Sequence, residues 1–144
     1  MRGWLALVFT VAGCASAVPG ALAPYRVKGD AIAGRLTPAP GDAERGKAVV
    51  TGRDSNCLLC HAVPDSGVRF MGNLAPPLDG VGARLSEGQL RLRLVDSMRL
   101  NPDTIMPPYY RVEGLNQVAG GFRGKPVLTA QQVEDTVAYL LTLR

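Results

Sequence analysis

The sequence is most informative in what it lacks. It holds one histidine, His61, among 144 residues, and three cysteines, Cys14, Cys57 and Cys60. A lone histidine excludes any site built on two imidazoles. Its longest apolar run, Trp4 to Val11, is too short for a membrane span, which needs about 20 apolar residues. Although the formal charge is +4 and the pI near 9.3, Lys and Arg are scattered. A basic stripe interleaved with aromatic platforms is missing, so no nucleic-acid partner is indicated. Docking onto an acidic protein surface is the more modest implication, and for any single Arg a solvated surface is the simpler one. No pair of strands with period two and no internal repeat is visible. What is plentiful is glycine, with 17, and proline, with 11. That composition predicts long irregular connections in a chain of one-domain size.

The N-terminus reads as an export signal over residues 1–23. Arg2 supplies the positive charge, the apolar run follows, and small residues come next. Ala21-Leu22-Ala23 and Ala15-Ser16-Ala17 both fit ordinary cleavage, which is the preferred reading. The string VAGC at Val11 to Cys14 resembles the lipobox of bacterial lipoproteins, with Cys14 as the lipid-bearing residue. Either way the mature protein lies outside the cytoplasm, and it meets a membrane only if Cys14 is lipidated. Residues 24–40 then form an N-terminal extension and 41–144 the domain.

The chemistry centres on CLLCH, Cys57 to His61. A redox dithiol of the thioredoxin kind sits in a βαβ context, and none is readable. Tetrahedral zinc wants four ligands; this string offers three, and no second Cys or His cluster exists. Covalent haem remains. The two thiols add to the porphyrin vinyl groups as thioethers, and the adjacent histidine reaches the iron from the same face.

A second axial ligand must then be a methionine. Met98 falls in the segment Ser86 to Met98, which opens with a Ser86/Gln89 capping box. Leu90, Leu94 and Met98 repeat every four residues, which predicts a helix with Met98 in the core. Met71 follows His61 too closely in a Gly/Pro loop. Met106 lies between Pro102 and Pro107-Pro108, which exclude regular helix and stiffen the loop. Met106 is the choice, and a His/Met pair favours electron transfer over substrate binding at iron.

Two further helices frame this site. One is capped by Asp42, with Ala43, Ala48, Val49 and Val50 as its apolar side. It carries Gly46, at a cost of about 1 kcal/mol against alanine that invites a packing reason. The other opens with a Thr129/Gln132 box and has Val133, Val137, Leu140 and Leu141 as its stripe. The expected fold is all-α, wrapped around a cofactor that substitutes for a large core.

This arrangement resembles a class I cytochrome c. In that family the first and last helices cross at a glycine and an aromatic, matched here by Gly46 and Tyr139. The family's Gly-Pro-x-Leu segment is similar to Ala75-Pro76-Pro77-Leu78, so the resemblance implies that the Pro76 carbonyl holds the His61 ring. Over Tyr25 to Arg144 the chain further resembles SoxX, the monohaem subunit of the SoxAX cytochromes of bacterial thiosulfate oxidation. MPPYYRVEGLNQV and GFRGKPVLTAQQVEDTVAYL carry that likeness.

The resemblance implies one haem c on Cys57, Cys60, His61 and Met106 and a periplasmic location. The chain would not be an enzyme by itself. It would be the redox subunit of an L-cysteine S-thiosulfotransferase complex. A SoxA-type partner carries the active-site haem, thiosulfate is coupled to a cysteine of the SoxYZ carrier, and electrons pass on to a small cytochrome c. A free-standing monohaem carrier is the alternative, and a thiol–disulfide enzyme would need Cys57 and Cys60 free.

The loop Pro107 to Val127 is longer than the about 12 to 15 residues of a plain connection. It holds Tyr109, Tyr110 and Phe122 beside Arg111, Arg123 and Lys125, the composition of a protein interface. It is expected to dock the partner, with shielding of the haem as the plainer reading of its aromatics.

Overall fold

The computed structural model describes residues 22–64 and 66–144. The export signal up to residue 21, with Cys14 and the apolar run, lies outside the described residues. Four α-helices follow in order: α1, Ala43–Thr51; α2, Val81–Arg84; α3, Glu87–Asp96; and α4, Ala130–Thr142. Single 3-10 turns occupy Cys57–Leu59, Ser97–Arg99 and Gly120–Phe122. Among the described residues an isolated bridge, Lys28 with Ala31, is the only extended pairing. The all-α expectation therefore holds. No described helix is long and apolar enough to cross a membrane.

The helix starts follow local chemistry. The Asp42 carboxylate accepts the Arg45 N–H at 2.8 Å, and α3 and α4 each open with the complete box that Ser86/Gln89 and Thr129/Gln132 predict. Each cap satisfies amide donors that the first turn leaves without a partner.

Helices α1 and α4 cross in direct backbone contact. A Cβ at Gly46 would lie 1.9 Å from the Asp135 carbonyl oxygen and 2.8 Å from the Tyr139 Cβ. Gly41 is equally tight, at 2.1 Å from the Glu134 carbonyl oxygen. This is the packing reason for a helix-interior glycine, and Tyr139 stands at the crossing as expected. Gly46 and Val50 are the buried residues of α1, whereas Ala48, placed on its apolar side by the sequence, is exposed.

The main core gathers Leu90, Leu92, Leu94 and Val95 of α3 with Val133, Val137 and Leu140 of α4. The N-terminal extension joins it through Ile32 and Leu36, 1% and 7% exposed. Arg91, fully buried, holds this three-way junction. Its guanidinium donates to both Glu134 carboxylate oxygens at 2.8 Å and to the Ile32 carbonyl at 2.7 Å, and it also pairs with Glu87. Glu134 accepts the Leu36 N–H at 2.9 Å as well. A solvated-surface reading of every arginine thus fails at Arg91.

Met98 is not core. Helix α3 ends at Asp96, and the following turn carries Met98 to a half-buried position, where its sulfur accepts from Arg111 at 3.3 Å.

Candidate functional site

The turn at Cys57 begins with Asn56 in the left-handed region, φ 53°. Both Cys60 N–H and His61 N–H then donate to the Cys57 carbonyl, at 3.2 and 2.9 Å. One helical turn therefore carries all three side chains. Residues 72–78 run beside it: Gly72 N–H donates to Leu58, Ala75 to Cys60 and Leu78 to Ala62. A Cβ at Gly72 would stand 1.8 Å from the Leu59 carbonyl oxygen, so glycine permits the approach. The Pro76 carbonyl oxygen lies 2.7 Å from His61 Nδ1. A carbonyl only accepts, so Nδ1 bears the proton and Nε2 is left as the lone-pair nitrogen. Ala75, in place of the family's glycine, leaves this turn intact.

The turn opens onto a cleft of about 660 Å³ that Cys57, Cys60, His61, Pro76 and Met106 all line. The other walls are mostly apolar, from Val50, Val81, Leu90 and Leu94 to Leu140. Size and lining are those of a cofactor site. Ser97 Oγ donates to the Met106 carbonyl at 2.6 Å, and Met106 N–H donates to Thr104 Oγ1 at 3.2 Å. Met98 and Met71 do not line the cleft. The Met71 sulfur accepts Val63 N–H at 3.2 Å and packs in a smaller cluster with Val50 and Tyr139.

The cleft-lining Tyr109 is buried, and its hydroxyl donates to the Ser55 carbonyl at 2.7 Å. Burial pushes its phenol pKa up, reinforced by the neighbouring Cys57 thiol. Burial likewise raises Cys57, partly offset by hydrogen bonds from Ser55 and Tyr109. Among the described residues no group of three or more His, Cys, Asp or Glu gathers to hold a metal ion, so the zinc alternative finds no further ligands.

The family model for cytochrome c matches residues 43–144. The chain belongs to the cytochrome c family. Among solved structures this cytochrome is similar to a chain of the crystal structure of SoxXA from P. pantotrophus. Identity is 41%, the match covers 79% of this chain and 90% of that one, and the TM-score is 0.73. No curated protein matches it.

Family membership implies covalent haem c, and the residues fit it. An apolar cleft, two thiols on one turn and an imidazole whose far nitrogen is already tied form the required donor set. The cytochrome also brings Arg84 and Arg93 to the cleft, cations suited to the haem carboxylates. Sequence reasoning missed both, since neither stands in a motif.

The expected docking loop is corrected in part. Tyr109 and Tyr110 are buried, and the Tyr110 hydroxyl accepts Ala23 N–H at 2.7 Å. Arg111 pairs inward with Asp96 at 3.1 Å. Only Phe122, Arg123 and Lys125 keep the exposure such a surface needs, Phe122 partly. Among the described residues the exposed large hydrophobics are instead Leu59, Val68, Phe70, Leu74 and Ile105. They belong to the cysteine and methionine loops, and Leu74 and Ile105 line the cleft itself.

Proposed function

We propose that this cytochrome is the electron-transfer subunit of a SoxAX-type complex. Cys57 and Cys60 would attach its haem c, His61 Nε2 and the Met106 sulfur would hold the iron, and Pro76 would orient His61. The observation that carries the haem reading is the convergence of these side chains on one cleft. The likeness to a chain of SoxXA over 90% of its length supports the partner.

When bound, the haem supplies a one-electron couple. The chain's own residues set its environment. The Pro76 carbonyl fixes the His61 tautomer and raises its basicity. The thioether of Met106 favours the ferrous state. The apolar walls would keep water from the iron, and with His61 and Met106 holding it no position would be left for a substrate. Electrons released when a SoxA-type subunit couples thiosulfate to the SoxYZ cysteine would arrive singly and pass to a small cytochrome c. The apolar rim formed by the two loops offers the partner a contact surface beside the cleft. The chain acts in the periplasm after ordinary signal cleavage, with lipid attachment at Cys14 the other route.

The test is expression in a haem-maturation-competent host with a tagged SoxA-type subunit. The chain should keep haem on a denaturing gel and co-purify with its partner, and Cys57→Ala with Cys60→Ala should lose the covalent haem. Haem retained by the double variant would overturn the attachment. A holoprotein that never binds the partner would favour the free-standing carrier.

A further inference from the structure

We propose that Tyr109 is a positioning residue for the axial methionine, its hydroxyl clasping the loop of Met106 to the turn of Cys57. The inference rests on the reading that Met106 fills an axial position. Its backbone is anchored on two sides: Tyr109 N–H donates to Leu94 of α3, and its carbonyl accepts Leu128 N–H, both at 3.0 Å. Pro107 and Pro108 alone separate it from Met106 and allow little play between them. On the far side the acceptor, Ser55, is 3% exposed. The Ser55 hydroxyl donates to the Val49 carbonyl at 2.5 Å, tying it to the end of α1. Asn56 alone separates Ser55 from Cys57.

One hydrogen bond, joining residues 54 apart in sequence, thus closes a ring. It runs from the methionine through the tyrosine to the cysteine that bonds the macrocycle. Without the hydroxyl, a buried carbonyl is left without a partner. The loop that presents the thioether then loses its fixed distance from the attachment point.

Tyr109→Phe removes one oxygen and keeps the ring in the core. Wild-type and variant holoproteins are compared by the far-red absorbance of thioether-ligated ferric haem and by titration with imidazole, which competes for the methionine's place. Helical dichroism and melting temperature are recorded on the same samples. In Tyr109→Phe the band should weaken and the half-saturating imidazole concentration should fall about fivefold, the equivalent of one hydrogen bond. Helix content should be unchanged. Tyr110→Phe, which removes a buried hydroxyl that bonds Ala23 and takes no part in the clasp, should titrate as wild type.

An imidazole titration unaltered in Tyr109→Phe overturns the inference. So does a variant that yields no holoprotein or loses helix along with the band, since that is a packing role. If wild type itself lacks the band, the ligand reading of Met106 falls, and this inference with it.

Discussion

At the scale of single residues, three methionines with one chemistry have three fates. Met106 stands in the cleft with both its backbone groups bonded, Met71 accepts an amide in a side cluster, and Met98 meets a guanidinium. Met106→Ala should leave the iron water-ligated and high-spin, at a lower reduction potential, because a soft thioether favours ferrous iron. Met98→Ala should leave the spectrum unchanged and cost only about 1 kcal/mol, since Met98 is half-buried. Optical spectra and redox titration of both variants decide it; a changed ligand spectrum in Met98→Ala alone would reverse the assignment. His61 and its cysteines were legible in the sequence because their relation is local, a single turn. Met98 was misplaced because a stripe of period four was carried past Asp96, where the helix stops. Tyr109 and Tyr110 looked like interface aromatics because their hydroxyl partners, Ser55 and Ala23, lie 54 and 87 residues away.

Between elements, the α1–α4 crossing is held by a carboxylate as well as by glycines. Asp135 of α4 accepts Arg45 at 2.8 Å through two nitrogens, Gln131 at 2.9 Å and the Asp42 N–H at 2.9 Å. Burial opposes its ionisation, but these donors outweigh burial and hold the carboxyl below its ordinary range. A depressed folded-state pKa stabilises above the unfolded value, about 3.9, and that stability is lost as pH falls through the folded value. Thermal melts from pH 7 down to 3 should therefore show a steeper acid loss in wild type than in Asp135→Asn, which cannot titrate. At pH 7 the variant should be less stable by about 2 kcal/mol, a figure kept modest because Arg45 is 57% exposed. Parallel melting curves would remove Asp135 from the acid response. The caps of these helices were legible as pairs three residues apart. The Asp135 clamp was not, since the partners it reaches across the crossing, Arg45 and Asp42, are 90 and 93 residues distant.

For the molecule as a whole, the extension before α1 is an integral part. Arg91 and Glu134, 43 residues apart, both hydrogen-bond its backbone at Ile32 and Leu36. Arg91→Leu strands the Glu134 carboxylate, 2% exposed, and should cost about 3–5 kcal/mol. Adding Glu134→Leu should return much of that loss, because removing both charges leaves no buried ion. Denaturant titration measures both, and limited proteolysis should cut residues 24–40 faster in the single variant. Equal stability of Arg91→Leu and wild type would show that the pair does not hold the extension. Helices α1, α3 and α4 were thus readable from motif and period, as were Cys57, Cys60, His61 and Met106 of the cleft, whereas the single turn of α2 was not. The buried ions and the packed extension were not, because a charge in sequence carries no mark of the partner that lets it be buried.

The glycine contact between α1 and α4 also bears on how this chain can vary. At most core positions change is graded, and a smaller or differently branched side chain costs part of what a larger one does. At Gly46 and Gly41 the first carbon of any side chain already meets a main-chain carbonyl, at 1.9 and 2.1 Å. Alanine, serine and leucine then share one obstacle, and the opposing atoms are backbone that no compensating substitution can trim. Each site is an isolated point in sequence space, with no conservative neighbour. Drift can reach it only by moving the two helices apart, and the cleft wall that Val50, Thr136 and Leu140 of these helices build would move with them.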